Sequence, residues 1–199
     1  MEIIDQKNLD KAVLALQNGQ TIVFPTETSY GLGCDATNQD AVDKIFKIKG
    51  RKSDKPLLVV VPDIEMAKKY LVWNDLLEDL ASKYWPGPLT VVGEYSKKDN
   101  LAKGVVATDN TIAVRVTDFP LTKLLSEKLN RPLVATSANL SDAGNIYNSK
   151  DIIEVFSSRN EKPDILIDGG ELAENPPTTI VSVVGNNLQI LRQGQTKIN

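Results

Sequence analysis

The chain has no histidine among its 199 residues and a single cysteine, Cys34. Without an imidazole there is no Ser-His-Asp triad, no Cys-His pair and no histidine general base. One cysteine allows neither an internal disulfide nor a cysteine-rich zinc site. Any metal must therefore be held through oxygen, which points to magnesium or calcium. Long apolar runs are missing as well, since none approaches the roughly 20 residues that cross a bilayer. The N-terminus, MEIIDQKNLD, is charged from its second residue and has no apolar signal core. A cytoplasmic, reducing location with no membrane partner is expected. No Gly-x-x-x-x-Gly-Lys-Ser/Thr occurs, which excludes a P-loop.

What is present is ordinary in bulk and uneven in detail. Hydrophobic residues make up 41% and charged residues 25%, which suits a folded globular chain rather than a disordered one. The length suggests one domain over residues 1–199. A net charge of −3 argues against a surface coated for non-specific nucleic-acid binding. Yet residues 44–55, KIFKIKGRKSDK, hold six Lys or Arg and one Asp, a local charge of +5, which leaves −8 for the remainder. The positive charge is one patch.

Periodicity alternates helices and strands. Leu9, Ala12, Val13 and Leu16 mark a helix with Asn8 as N-cap and Gly19 closing it. TIVFP (21–25) reads as a buried strand, 39–48 as an amphipathic helix, and LLVVV (57–61) as a strand covered on both faces. Helical patterns follow at 64–71 and 75–84 and stop at Pro86-Gly87-Pro88. Strands are predicted at 89–94, 111–117, 133–137, 164–168, 179–184 and 188–192, with a hairpin turn at Gly185-Asn186-Asn187. Helices are predicted at 120–129 and 150–157, and long loops at 95–110 and 138–149. The expected fold is α/β, one domain on a twisted mixed sheet with flanking helices.

Each candidate motif has a plain and a functional reading. Gly31-Leu32-Gly33-Cys34-Asp35-Ala36 spells a dinucleotide fingerprint, but a polar run separates it from the strand and the next helix starts too late to face a pyrophosphate. In PTETSYGLG (25–33), three hydroxyls and a carboxylate leave a buried strand together. They either satisfy local backbone donors or meet a ligand beside glycines that permit close approach. Lys44, Lys47 and Lys49 sit where cations complement a helix dipole, whereas Arg51, Lys52 and Lys55 lie beyond Gly50 in a loop able to hold polyphosphate. Ala135-Thr136-Ser137-Ala138-Asn139 ends a strand with small groups that either form a turn or bond a nucleotide. In TIAVRVT, alternation sets Thr111, Ala113, Arg115 and Thr117 opposite Ile112, Val114 and Val116, giving a face polar enough to line a groove.

Taken in order, PTETSYGLG, Lys49-x-Arg51 followed by Lys55-Pro56-Leu57, WPGPLT (85–90) and Ser137-x-Asn139 within TSANLS (136–141) resemble the threonylcarbamoyl-AMP synthases, the YrdC-like family. The likeness runs from about residue 8 to ILRQG (190–194). It implies a large concave basic groove and synthesis of threonylcarbamoyl-adenylate from L-threonine, bicarbonate and ATP, with magnesium accompanying ATP and pyrophosphate released. A transfer complex of other proteins then delivers the group to adenosine beside the anticodon of tRNA. Longer relatives carry an extra C-terminal domain for which 199 residues leave no room, so the short type is expected. By resemblance Lys49, Arg51 and Lys55 grip phosphates, while Thr111, Ser137, Asn139 and Arg192 complete the ATP site. Lys49, Arg51, Ser137 and Asn139 are the expected catalytic set. Thr28, Arg115 and Thr179 hold threonine, Arg115 through its carboxylate. No protein-ligated metal is implied.

The chain departs from that pattern at several positions. Val60 stands where many relatives have histidine, so one threonine or carbamate contact is missing or replaced. Lys52 and Gln193 replace common prolines, and Asp142 with NIYNS (145–149) replaces a Gly and Pro-Ser pattern. Two rivals remain. One is a non-catalytic module binding tRNA or double-stranded RNA in the same groove, with steep salt dependence. The other keeps the groove and changes the acceptor, as in longer carbamoyl-transfer proteins that contain a related domain.

Overall fold

The computed structural model describes residues 1–52, 55–141 and 143–198. Ser53 and Asp54 of the basic segment and Asp142 of the 138–149 loop lie outside the described residues. The fold is α/β, with mixed sheets and flanking helices, but the strands form two sheets rather than one. The first runs β1 (Glu2–Asp5), β9 (Ile165–Asp168), β2 (Ile22–Pro25), β3 (Tyr30–Gly33), β8 (Thr136–Ser137). The second runs β11 (Asn187–Arg192), β10 (Thr179–Val184), β5 (Leu89–Glu94), β6 (Thr111–Val116), β4 (Val59–Val61), β7 (Leu133–Val134). Both sheets are mixed: in the first, the parallel pairs β1–β9 and β2–β9 are followed by the antiparallel pairs β2–β3 and β3–β8, and in the second the parallel pairs β10–β5 and β4–β6 alternate with antiparallel ones. No helix among the described residues is long and apolar enough to cross a membrane.

The split follows from one strand. The run 133–137, expected to be continuous, gives Leu133–Val134 to the second sheet and Thr136–Ser137 to the first. Its amides alternate sides, Val134 donating to Cys34 O at 2.9 Å and Ala135 to Leu58 O at 3.0 Å, so Ala135 is the crossing point. Strand β3 was not legible because its glycines and polar flank carry no alternation. Gly31 and Gly33 lie within it, not at a strand-to-helix turn, which settles the dinucleotide fingerprint against that reading. A Cβ on Gly33 would sit 2.1 Å from Val134 O, so glycine is what lets β3 lie against that crossing strand.

The helices are α1 (Leu9–Gln17), α2 (Gln39–Lys49), α3 (Ile64–Tyr70), α4 (Asp75–Tyr84), α5 (Pro120–Leu129) and α6 (Ser149–Ser157). Helix α2 starts on Asn38, whose Oδ1 accepts from Ala41 N at 3.0 Å, and stops at Gly50 with φ +59. Asn8 holds the N-cap position of α1 without a side-chain bond; Asp5 instead caps a short 3-10 turn, Gln6–Asn8, ahead of it. Lys44 does not simply face water. Its Nζ donates to Asp164 at 2.6 Å, and Thr21 donates to the other Asp164 oxygen through N and Oγ1. Strand β4 is buried on both faces, as its composition predicts: Val59 and Val61 join the main core and Val60 a second cluster with Leu125 and Leu133.

Replacing Gly33 by Ala is expected to cost about 1–3 kcal/mol, the usual range for forced overpacking. Gly144→Ala, where a Cβ meets nothing within 4 Å, should leave the urea midpoint unchanged. Equal midpoints for the two variants would refute the close-approach account.

Candidate functional site

Alternation along the second sheet builds a groove. Val91, Ile112, Val114, Val181 and Val183 turn into the main core. Their neighbours Thr90, Val92, Ala113, Arg115 and Ile180 turn the other way and line a cavity of about 490 Å³. Its opposite wall comes from the first sheet: Thr26, Thr28, Ser29 and Gly31 of the PTETSYGLG run, with Ser137. WPGPLT is the turn that delivers Thr90 to this wall. Its Trp85–Pro86 peptide is cis, the Trp85 indole donates to Leu89 O at 2.7 Å, and Gly87 N donates to Val116 O at 2.9 Å.

A second hollow of about 490 Å³ adjoins the first, sharing Arg51, Ser137 and Asn145 and adding Lys49, Lys52, Lys55 and Asn139. Two larger cavities, of about 560 and 580 Å³, lie away from every predicted residue. The lysines Lys11 and Lys44 of the first are neutralised by Glu2 and Asp164.

The Lys-x-Arg and Ser-x-Asn pairs meet directly. Two positions apart in the last turn of α2, and so on opposite faces of the helix, Lys47 stays in solvent while Lys49 goes inward, only 3% exposed. Its ammonium donates to Ser137 O at 2.5 Å, Asn139 O at 2.8 Å and Asn139 Oδ1 at 2.9 Å. An ammonium has three donors, so all three are engaged by the turn. Ser137 Oγ donates to Asn139 Oδ1 at 2.7 Å, and Asn139 Nδ2 donates to Ala143 O and to Gly144 O at 3.0 Å, which closes the network. Burial, and secondarily the Arg51 charge, pull the Lys49 ammonium down to about 8. Arg51 itself is braced by carbonyls, Nε donating to Lys55 O at 3.0 Å and Nη2 to Pro56 O at 3.1 Å.

Arg115, Arg192 and Thr28 also line the groove. Arg115 is 3% exposed, and its Nη1 pairs with Glu27. Burial lowers it to about 10, still a cation at neutral pH. Arg192 donates from Nε and Nη2 to Thr178 O at 3.1 and 2.8 Å, and burial lowers its pKa. Thr28 faces the cavity with its hydroxyl 3.1 Å from that of Thr26. For Thr26 the plain reading holds, because its hydroxyl accepts from Thr28 N and Ser29 N and donates to Ser29 O.

Two predicted residues lie elsewhere. The Thr111 hydroxyl donates to Asp109 at 2.7 Å and is not on the groove wall. Thr179 is fully buried; its hydroxyl donates to Thr196 O at 2.6 Å and accepts from Gly194 N at 2.9 Å, tying down the C-terminal segment. Its neighbour Thr178 lines the cavity instead, 3.1 Å from Thr90 Oγ1. Applying the two-residue period back from Ile180 would have chosen Thr178. Val60 is buried beneath Leu58, which is the residue at the groove surface. Glu27 and Asn145 were not assigned from sequence, though Glu27 stands in the motif itself.

The Sua5/YciO/YrdC family model, described as telomere recombination, matches residues 14–194. A threonylcarbamoyl-AMP synthase of Vibrio vulnificus is 33% identical over 190 residues, 94% of this chain and 98% of that one. The Bacillus subtilis synthase is 34% identical over 92% of this chain, which spans 52% of it. The structure of P. abyssi Sua5 complexed with L-threonine superposes with a TM-score of 0.88 at 30% identity, covering 98% of this chain and 58% of that one.

The low Lys49 value predicts a pH signature. The unfolded chain keeps this proton to the ordinary 10.5, whereas the folded chain releases it near 8. Between those values the unfolded state binds more protons, so stability rises with pH. Wild type should therefore gain on Lys49→Met as pH climbs from about 8 to about 10.5, with a flat difference below about 8. A difference in unfolding free energy that stays flat throughout would rule out a depressed Lys49.

Proposed function

The chain belongs to the Sua5/YciO/YrdC family of threonylcarbamoyl-AMP synthases, and we propose that it makes L-threonylcarbamoyladenylate and pyrophosphate from L-threonine, bicarbonate and ATP. The observation that carries this reading is the convergence of Arg51, Arg115 and Arg192 with Thr28 and Ser137 on one cavity. Such a set suits two anionic ligands held side by side. The structure of P. abyssi Sua5 in complex with L-threonine, which this chain superposes on, supports threonine as one of them.

The attacking group belongs to the substrate. Threonine's amine adds to bicarbonate with loss of water, and a carbamate oxygen then attacks the α-phosphorus of ATP. The bond from that phosphorus to the bridging oxygen breaks, and pyrophosphate leaves. The protein's share is orientation and stabilisation of charge on the phosphoryl oxygens. Arg51, Lys55 and Arg192 take the phosphates. Ser137 and Asn139 take the nucleotide, and Lys49 holds their turn from below while adding its charge. Arg115 takes the threonine carboxylate, with Thr28 and Thr178 as hydroxyl partners; Thr179 supports the wall from behind, and Thr111 lies further along β6 on the face of Ala113 and Arg115. Among the described residues no three His, Cys, Asp or Glu side chains gather to hold a metal. In this reading magnesium enters with ATP, as part of the substrate. The product passes to a threonylcarbamoyl-transfer complex acting on tRNA.

A second reading, RNA docking, draws on the exposed Lys47, Lys52 and Lys55 near the groove rim. It requires tRNA affinity to fall steeply with salt while nucleotide turnover is absent.

Purified protein with ATP, bicarbonate and magnesium should release pyrophosphate only when L-threonine is added; threonine-independent release, or none, would refute the synthase reading. Arg51→Ala should lose about 2–4 kcal/mol of transition-state stabilisation, as other charge-stabilising donors do. Unchanged turnover in a folded Arg51→Ala protein would remove Arg51 from the mechanism.

A further inference from the structure

Among the described residues Glu27 is the acid ion-paired with a groove-lining arginine, and the proposed reaction leaves it without a task; Asp118 also acts on Arg115 through its charge. It follows strand β2 between Thr26 and Thr28, and its Oε1 accepts from Arg115 Nη1. The pair is only half satisfied. Glu27 Oε2 and Arg115 Nε are both buried without a hydrogen-bond partner. Buried charges are stable only when their remaining lone pairs and protons are also met, so two orphan atoms on one ion pair are unusual.

The two orphans have opposite needs. Arg115 Nε lacks an acceptor and Glu27 Oε2 lacks a donor. A lone anion meets the first and is repelled by the second, and a lone cation fares the reverse. A molecule carrying carboxylate and ammonium on neighbouring atoms meets both. The adjoining wall of the cavity, Thr26, Thr28 and Ser29, adds hydroxyls beside Arg115. Glu27 does not itself line the cavity, but its side chain is 17% exposed against 4% for Arg115, so it is the partner with room to turn toward a ligand beside Arg115.

We propose that Glu27 is the acceptor for the ammonium group of the bound amino acid, so that the Glu27–Arg115 pair recognises a zwitterion through both of its charges. This rests on the synthase reading, which already gives the carboxylate to Arg115, and adds an opposite contact from a residue that reading does not use. The pair is neutral overall, as is the ligand. Converting Glu27 to Gln removes the carboxylate that pairs with Arg115 and shifts the subsite toward positive charge, with Asp118 the remaining acid acting on Arg115, which favours a ligand that has the carboxylate and lacks the ammonium.

Titration calorimetry with L-threonine and with (R)-3-hydroxybutanoate, the same molecule with hydrogen in place of the ammonium, tests this on wild type and Glu27→Gln. Wild type should prefer L-threonine by about tenfold or more, in line with close charge pairs at desolvated sites. Glu27→Gln should weaken L-threonine by a similar factor and leave the hydroxy acid unchanged or tighter. Equal losses for both ligands would mean that Glu27 only orients Arg115, and no loss for either that it is a bystander; each overturns the proposal. A wild type that binds neither ligand overturns the synthase reading along with it, whereas binding of L-threonine with no preference for the ammonium overturns this inference alone. Should the variant fail to fold, the carboxyl ¹³C resonance of Glu27 in wild type decides. It should move with L-threonine and stay in place with the hydroxy acid, and the same response to both overturns the proposal.

Discussion

The groove depends on a buried ammonium. Lys49 is the last residue of α2, and its three donors reach Ser137 O, Asn139 O and Asn139 Oδ1. That single group ties the basic loop to the turn after β8, and so ties both hollows to one wall. Its burial penalty is met by carbonyl and amide dipoles, the condition under which a buried charge can persist. Asn139 in turn spends its amide on Ala143 O and Gly144 O, which carries the constraint into the loop that borders the hollow. Remove the cation and several acceptors lose their donor together, so the effect spreads beyond one contact.

The way cations are held differs across the molecule. On the outer surface Lys44, Arg131 and Lys128 rest on carboxylates, those of Asp164, Asp35 and Asp10. In the groove, Lys49 and Arg192 rest on carbonyl and amide oxygens, and Arg51 donates to the carbonyls of Lys55 and Pro56. A carbonyl fixes a guanidinium in place without cancelling its charge, whereas a carboxylate does both. Residues held in the first way stay attractive to an anion. Arg115 is the groove cation held in the second way, by Glu27, and this is why the far end of the groove suits a ligand with both charges rather than another phosphate.

Legibility in the sequence tracked alternation and punctuation. Helices with a clear apolar stripe and a glycine or asparagine stop, such as α2 and α5, lie within a residue or so of their expected ends. Arg115 was legible because Ile112, Val114 and Val116 assign its face without ambiguity. What was lost lacked such a signal. Strand β3 reads as polar turn and glycine, and its existence depends on Gly33 lying against Val134, a contact 101 positions away in the chain. The division at Ala135 is likewise invisible, because a strand that changes sheets keeps the same apolar pattern. Period-two alternation places Thr178, with Ile180, on the groove face and Thr179 on the buried one.

Two consequences of the missing histidine can now be separated. Val60, where the family resemblance leads to the expectation of a histidine, turns into an apolar cluster with Leu125 and Leu133, and Leu58 takes the groove surface. Val60 is a packing residue, and burial on both faces of β4 leaves it no route to the cavity. A carboxylate is one group that can accept from a substrate nitrogen instead. Glu27 is such a group, already drawn to the spot by Arg115. With no imidazole anywhere in the chain, acceptor chemistry in this groove falls to oxygen, and the charge that oxygen brings is balanced by the guanidinium it touches.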